Sequence, residues 1–211
     1  MTTGFLFRLC CGLLLSFACA AQPAGTAASR KDLAGLIPAG QKIVSRLDAD
    51  VTGDNLPDAV VVTSSDSFEA FVWVFRRLDG TRLQALDTLE LDLTPNGPPT
   101  VSVKNGVLVV ESMTGSASVR TLAFYRYRWD AQASRLRLIG LDAERTGSDI
   151  GLKLSWNVLT GKRLVRWGKK DPAVFVYGPE TASSVPPAVL RMADTPKPED
   201  LLDELVEKRR N

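Results

Sequence analysis

Nine consecutive residues, Asp50-Val51-Thr52-Gly53-Asp54-Asn55-Leu56-Pro57-Asp58, hold the most pointed chemistry in the chain. Oxygen-bearing side chains fall at Asp50, Thr52, Asp54 and Asp58, and the Leu56 carbonyl lies between the last two. A tight loop turns alternate positions inward, and calcium accepts about six to eight oxygens in flexible geometry. The spacing therefore predicts a calcium loop with Asp50, Thr52, Asp54, Leu56 and Asp58 as ligands. Asn55 stands where an EF-hand loop has its glycine, and Asn is the non-glycine residue most tolerant of the left-handed region. Val61 stands where the distal bidentate Glu would be. The expected affinity is that of weak extracellular sites, on the order of 10⁻⁴ to 10⁻³ M. The bland alternative is a solvated loop in which the same acids close Asx-turns. Asp48 lies just upstream, outside the core spacing.

The absent residues are as informative. The chain contains no histidine. Its three cysteines are Cys10, Cys11 and Cys19, all near the N-terminus. Ser-His-Asp and Cys-His triads are thereby excluded, as are His-containing zinc sites. The expectation is a protein that is not an enzyme. An enzyme alternative would use carboxylates, with Asp142, Glu144 and Asp149 joining Asp87 or Asp92 in a glycosidase-like pair. Arg126, Arg128, Arg135 and Arg137 form a candidate basic patch for an anionic glycan, lipid or peptide. Phe71, Trp73 and Phe75 share one strand face, as do Tyr125, Tyr127 and Trp129. Stripes at period two are usually core; a sugar-binding platform is the functional alternative.

Residues Met1 to Ala20 read as an export signal. Arg8 supplies the positive region, 9–17 a short apolar run, and Ala18-Cys19-Ala20 a small-residue cleavage site. Export to the periplasm or the medium is expected, with a lipoprotein anchored through Cys19 as the minor alternative. The apolar run is too short to cross a bilayer of about 30 Å, so no transmembrane segment is expected after cleavage. The mature chain would then lack cysteine and rely on burial alone; about 190 residues suffice for one domain with a real core. Lys and Arg number 26 against 24 Asp and Glu, which gives no support to a nucleic-acid partner.

The elements that must position these residues are mostly strands. Ala59–Thr63 is a β-branched run, and 68–78 a long aromatic and aliphatic one that Asp79-Gly80 reverses into 81–86. A further strand is expected at 88–93. Asn105-Gly106, between 101–104 and 107–111, is the turn pair a type I′ hairpin requires. Strands are expected at 119–129, 135–141, 152–158, 162–167 and 173–177. Residues 178–193 read as irregular. Residues 198–210 read as an amphipathic helix with Leu201, Leu202 and Leu205 on its apolar stripe, acids early and bases late. A short helix is expected at 31–37. The fold class is mainly β: antiparallel hairpin and meander sheets, propeller-like or sandwich-like, with these two helices. The expected division is 1–20 signal, 21–30 linker, 31–178 β domain, and 179–211 irregular segment and helix.

The nonapeptide resembles the Asp-rich calcium loop of FG-GAP and VCBS-type repeats, D-x-N-G-D-G-x-x-D, with Thr52 and Asn55 as departures. Those repeats build β-propellers; the single copy here does not imply one. The order of Leu36-Ile37-Pro38-Ala39-Gly40, the Asp loop, Asn105-Gly106-Val107-Leu108, Tyr125-Arg126-Tyr127, Leu138-Ile139-Gly140-Leu141-Asp142 and Asn157–Lys162 also resembles small uncharacterised secreted proteins of Gram-negative bacteria. The resemblance implies a fold and a calcium loop, not a reaction. The leading expectation is an exported, non-catalytic β module with a structural calcium loop, serving in binding or envelope maintenance. The alternatives are a carboxylate enzyme acting on envelope glycan or peptide, and an inhibitor or interaction protein. The partner is open, with an envelope protein or an anionic glycan as candidates.

Overall fold

The computed structural model describes residues 32–210 apart from 34, 93–95, 148 and 173. The expected signal (1–20) and linker (21–30) lie outside the described residues.

The chain forms antiparallel sheets and one C-terminal helix. The first sheet has four strands in sequence order: β1 (Lys42–Ala49), β2 (Asp58–Ser64), β3 (Glu69–Arg77) and β4 (Leu83–Asp92). The second has eight: β5 (Thr100–Lys104), β6 (Val107–Gly115), β7 (Arg120–Asp130), β8 (Arg135–Thr146), β9 (Ile150–Asn157), β10 (Lys162–Asp171) and β11 (Val174–Tyr177) form a meander, and β12 (Thr181–Ser184) pairs with β10. Helix α1 spans Pro198–Arg210.

β2 shows why the Val run stands where it does. Val60 and Val62 enter a core shared with Val72 and Val74 of β3, Leu89 of β4, and Leu108, Tyr125, Tyr127, Leu138, Leu141, Leu154 and Trp156 of the large sheet. Ala59 and Val61 face the other way, into a small cluster with Phe75 and Leu33. A strand buried on both faces needs a continuous apolar run rather than alternation. Each fully buried Val or Leu contributes about 1.5–3 kcal/mol. Leu201 and Leu202 of α1 are buried in the shared core, and Leu205 and Val206 pack against it.

Several expectations meet a different arrangement. Residues 81–86 and 88–93 were read as two strands; the described part is one, β4, with a register irregularity opposite Val74/Phe75. That bulge breaks the period-two pattern and splits the run in sequence. Thr181–Ser184 falls in the stretch read as irregular, yet it pairs with Lys162–Val165. All four of its residues are exposed, so no alternation marks them. Gly161 makes the approach possible. Its φ is +73°, and a Cβ there would lie 1.8 Å from the Val185 carbonyl oxygen. The described residues of 31–37 hold a 3-10 turn at Asp32 and Leu33 and no α-helical residue; Gly35, at φ +80°, ends any helical run. By contrast the Asn105-Gly106 turn has φ +52° and +69°, as type I′ requires. The Tyr125 and Tyr127 rings are buried core.

Candidate functional site

The Asp-rich loop joins β1 to β2 and is held almost entirely by its own backbone. Asp50 accepts from Gly53 N (2.6 Å) and Asn55 N (2.9 Å). Gly53 and Asn55 take φ of +77° and +64°, the left-handed positions that turn these N–H groups towards the carboxylate. Asp58 is fully buried. Its Oδ2 accepts from Val51 N (3.0 Å) and Thr52 N (2.9 Å), and its Oδ1 accepts from Arg77 N (2.9 Å). It thus ties the loop to the end of β3.

Asp54 is served differently. Its Oδ1 accepts from Leu56 N (3.0 Å), and its Oδ2 accepts from Arg76 Nε (3.2 Å) and Nη2 (3.0 Å). The Arg76 guanidinium also lies over the Trp129 ring, 5.7 Å from its centroid. Desolvation pushes the Asp54 carboxyl up, but the Leu56 N–H and Arg76 outweigh it and leave the pKa below the ordinary value. The Thr52 hydroxyl is buried with no partner at hydrogen-bond geometry, yet close enough to Asp54 to favour its charged form. Leu56 meets the acids through its N–H. Asp48 is gripped by Arg46 (2.7 Å).

Asp50, Thr52, Asp54, Leu56 and Asp58 therefore share one loop, but their oxygens do not share one point. Among the described residues no three acids are placed to hold a metal together. In this arrangement each carboxylate oxygen of Asp50, Asp54 and Asp58 accepts from a backbone N–H or from Arg76.

The outer face of the large sheet gathers the other polar candidates. Pairing register places Phe124, Asp142, Ser155 and Leu164 in one row across β7 to β10, and Leu122, Glu144, Lys153 and Arg166 in the next. Asp142 accepts from Arg126 Nη2 (2.6 Å) and Ser155 Oγ (2.7 Å). Glu144 accepts from Tyr177 OH (2.7 Å) and pairs with Lys153 Nζ (3.1 Å). Both acids are fixed by partners. Of the other acids, Asp87 accepts from Leu136 N at the start of β8 (3.3 Å) and Asp92 pairs with Lys197 (3.2 Å).

Beyond Asp142 the row Arg126–Gly140–Asn157 forms a gap. A bulge at Ile139 sets its register, so that Arg126 faces Gly140; on the turn side of the bulge Arg128 faces Arg137. Gly140 lacks a side chain, and a Cβ there would meet only ordinary contacts: Trp156 O at 3.6 Å and Arg126 Nη1 at 3.9 Å. The result is a groove of about 430 Å³ bordered by Arg126, Arg128, Asp142, Ser155, Asn157 and Leu159. Arg137 donates to Ala188 O (3.4 Å), and its Nε is buried without a partner. Arg135 turns back to Ala133 O (3.1 Å) and does not join them. The aromatic stripe of β3 is stacked, with centroids 6.0 and 6.3 Å apart, but Phe75 is buried under Leu33, so the stripe is no open platform.

Gly140 and Asn157 were missed as site residues. Their only sequence signal was their place in short segments of the secreted-protein resemblance. Comparison with protein-family models, curated proteins and solved structures finds no match.

Proposed function

We propose that this chain is an exported, non-catalytic binding module, two sheets packed sandwich-like around one core, which takes an anionic glycan in the outer-face groove over Gly140. One observation carries the reading. Arg128 stands directly opposite Arg137 across β7 and β8 and lines, with Arg126, a groove to which Gly140 contributes no side chain. Like charges directly opposite destabilise a sheet pair, and an anion held by Arg128 in the groove offsets that cost. Guanidinium forks match carboxylate and sulfate groups in two-pronged geometry. Ser155 and Asn157 offer the neutral polar groups that sugar hydroxyls need. The fixed pairing of Asp142 and Glu144 and the lack of histidine support a binding role over catalysis. Titration with an oligogalacturonate against a neutral oligosaccharide of equal length tests it.

In this reading the Asp50–Asp58 loop is a clamp that fixes β2 to β3. Calcium binding there is the second reading, favoured by the alternate placing of oxygen side chains at Asp50, Thr52, Asp54 and Asp58 in one loop. It requires Asp54 to exchange Arg76 for the ion. Thermal unfolding with and without Ca²⁺ separates the two.

A further inference from the structure

At the far edge of the large sheet, apolar side chains run out beyond the helix that covers their neighbours. Register aligns Ile150, Lys169 and Val176 in one row across β9, β10 and β11, with Val174 two residues along on the same face. Their side chains stand in water: Ile150 is 57% exposed, Val174 64% and Val176 57%. They share that face with Trp167, two residues before Lys169.

The last turn of α1 lies across this face. Arg209 stacks on Trp167, its guanidinium carbon 4.3 Å from the ring centroid. Between the helix end and the sheet edge lies a groove of about 840 Å³, lined on the apolar side by Ile150, Trp167, Val176 and Val206. Its charged lining is Lys169, Arg209 and Arg210 against one acid, Asp171. Among the described residues none of the three cations pairs with a carboxylate.

We propose that this edge docks on an anionic lipid surface, with Ile150, Val174 and Val176 entering the interface and Lys169, Arg209 and Arg210 meeting the headgroups. Two independent features select that occupant. Exposed aliphatics in a row gain by leaving water, and cations that have no carboxylate partner among the described residues are complementary to acidic headgroups rather than to a neutral or basic partner. A protein strand added to β11 would use the apolar row but leave the cations unmatched. The groove lies within the 300–1,000 Å³ typical of small-ligand sites, enough for part of an acyl chain beside its headgroup.

The experiment is flotation of the mature protein with vesicles of phosphatidylcholine alone and of phosphatidylcholine with phosphatidylglycerol. Binding is expected to the anionic vesicles only and to weaken as salt rises. One basic residue near such a surface contributes about fivefold to partitioning. Arg210→Glu and Lys169→Glu should each reduce binding by at least that factor. Val176→Ser should reduce it without altering salt dependence. All three positions are exposed, and equal melting temperatures would show that the variants keep the fold. Equal binding to both vesicle types, no binding to either, or variants that float like the wild type would each overturn the proposal. So would binding of free fatty acid without flotation, which would leave a soluble amphiphile as the ligand. The oligogalacturonate titration reads the opposite end of the sheet, so either result stands apart from the glycan reading.

Discussion

Arg76 Nη2 lies 3.0 Å from Asp54 Oδ2, so a fixed guanidinium holds the one loop acid whose partner is a side chain rather than backbone N–H alone. The consequence is a loop closed by protein groups. Melting of the mature protein in chelator, in Mg²⁺ and in millimolar Ca²⁺ is expected to agree within about 1 °C. A rise of about 2–4 °C in Ca²⁺ alone, the size expected of a millimolar site in a domain of this length, would favour the calcium reading instead. Arg76→Ala adds a second comparison, because it frees Asp54; a Ca²⁺ response confined to that variant would show that the guanidinium takes the ion's place.

Asp58 is the member of the loop on which the fold depends. Asp58→Ala removes the acceptor for three backbone donors, Val51, Thr52 and Arg77. Leaving buried donors unmatched costs about 1–3 kcal/mol each, so a total loss of about 3 kcal/mol or more is expected in urea denaturation. Asp50→Ala, on the exposed side of the loop, should cost about 1 kcal/mol or less. Equal costs for the two variants would contradict this division.

The N-terminal segment is pinned by charge. Arg46 bonds Asp32 through Nη1 (2.7 Å) and Nη2 (2.9 Å) while also holding Asp48. Hydrogen bonds from Arg46 hold the Asp32 carboxyl below its ordinary value, against desolvation, with the charges of Arg46 and Arg77 adding to the effect. A carboxyl with a depressed folded pKa contributes stability above its unfolded value, about 3.9, and loses it as pH falls through the folded one. Asp32→Asn should therefore cost about 1–2 kcal/mol at pH 5 and at pH 7 alike, with the gap to wild type closing below about pH 4. Denaturation at four pH values reads this directly; a constant gap down to pH 2 would remove the ion pair from the account.

Gly161→Ala tests how β12 reaches the sheet. A methyl group there meets the Val185 carbonyl at 1.8 Å on a backbone with φ +73°. We expect a loss of more than about 2 kcal/mol, whereas Gly140→Ala, which meets only ordinary contacts, should stay within about 0.5–1 kcal/mol of wild type.

These positions also mark how far the sequence could be read. The Val run of β2, the Asn105-Gly106 hairpin and the stripe of α1 are local patterns, and each produced its element. The acids of the Asp loop were legible as a loop. Their partners were not, because Arg76 and Arg77 come from the far end of β3. The basic patch was legible as four arginines on a hairpin. Only the bulge at Ile139 sends Arg126 opposite Gly140, and a one-residue register shift leaves no mark in composition. β12 was hidden for the same reason: its four exposed residues pair through backbone that any sequence carries.

Calorimetric titration with an oligogalacturonate decides whether the Gly140 groove receives an anionic glycan. Saturable binding that falls at raised salt is expected, with no heat from the neutral oligosaccharide. Arg128→Ala should weaken it about tenfold or more, the size of a lost charge-assisted hydrogen bond. Gly140→Ala should weaken it while leaving the fold intact. Absence of binding to the anionic oligosaccharide, or equal binding to the neutral one, would contradict the claim.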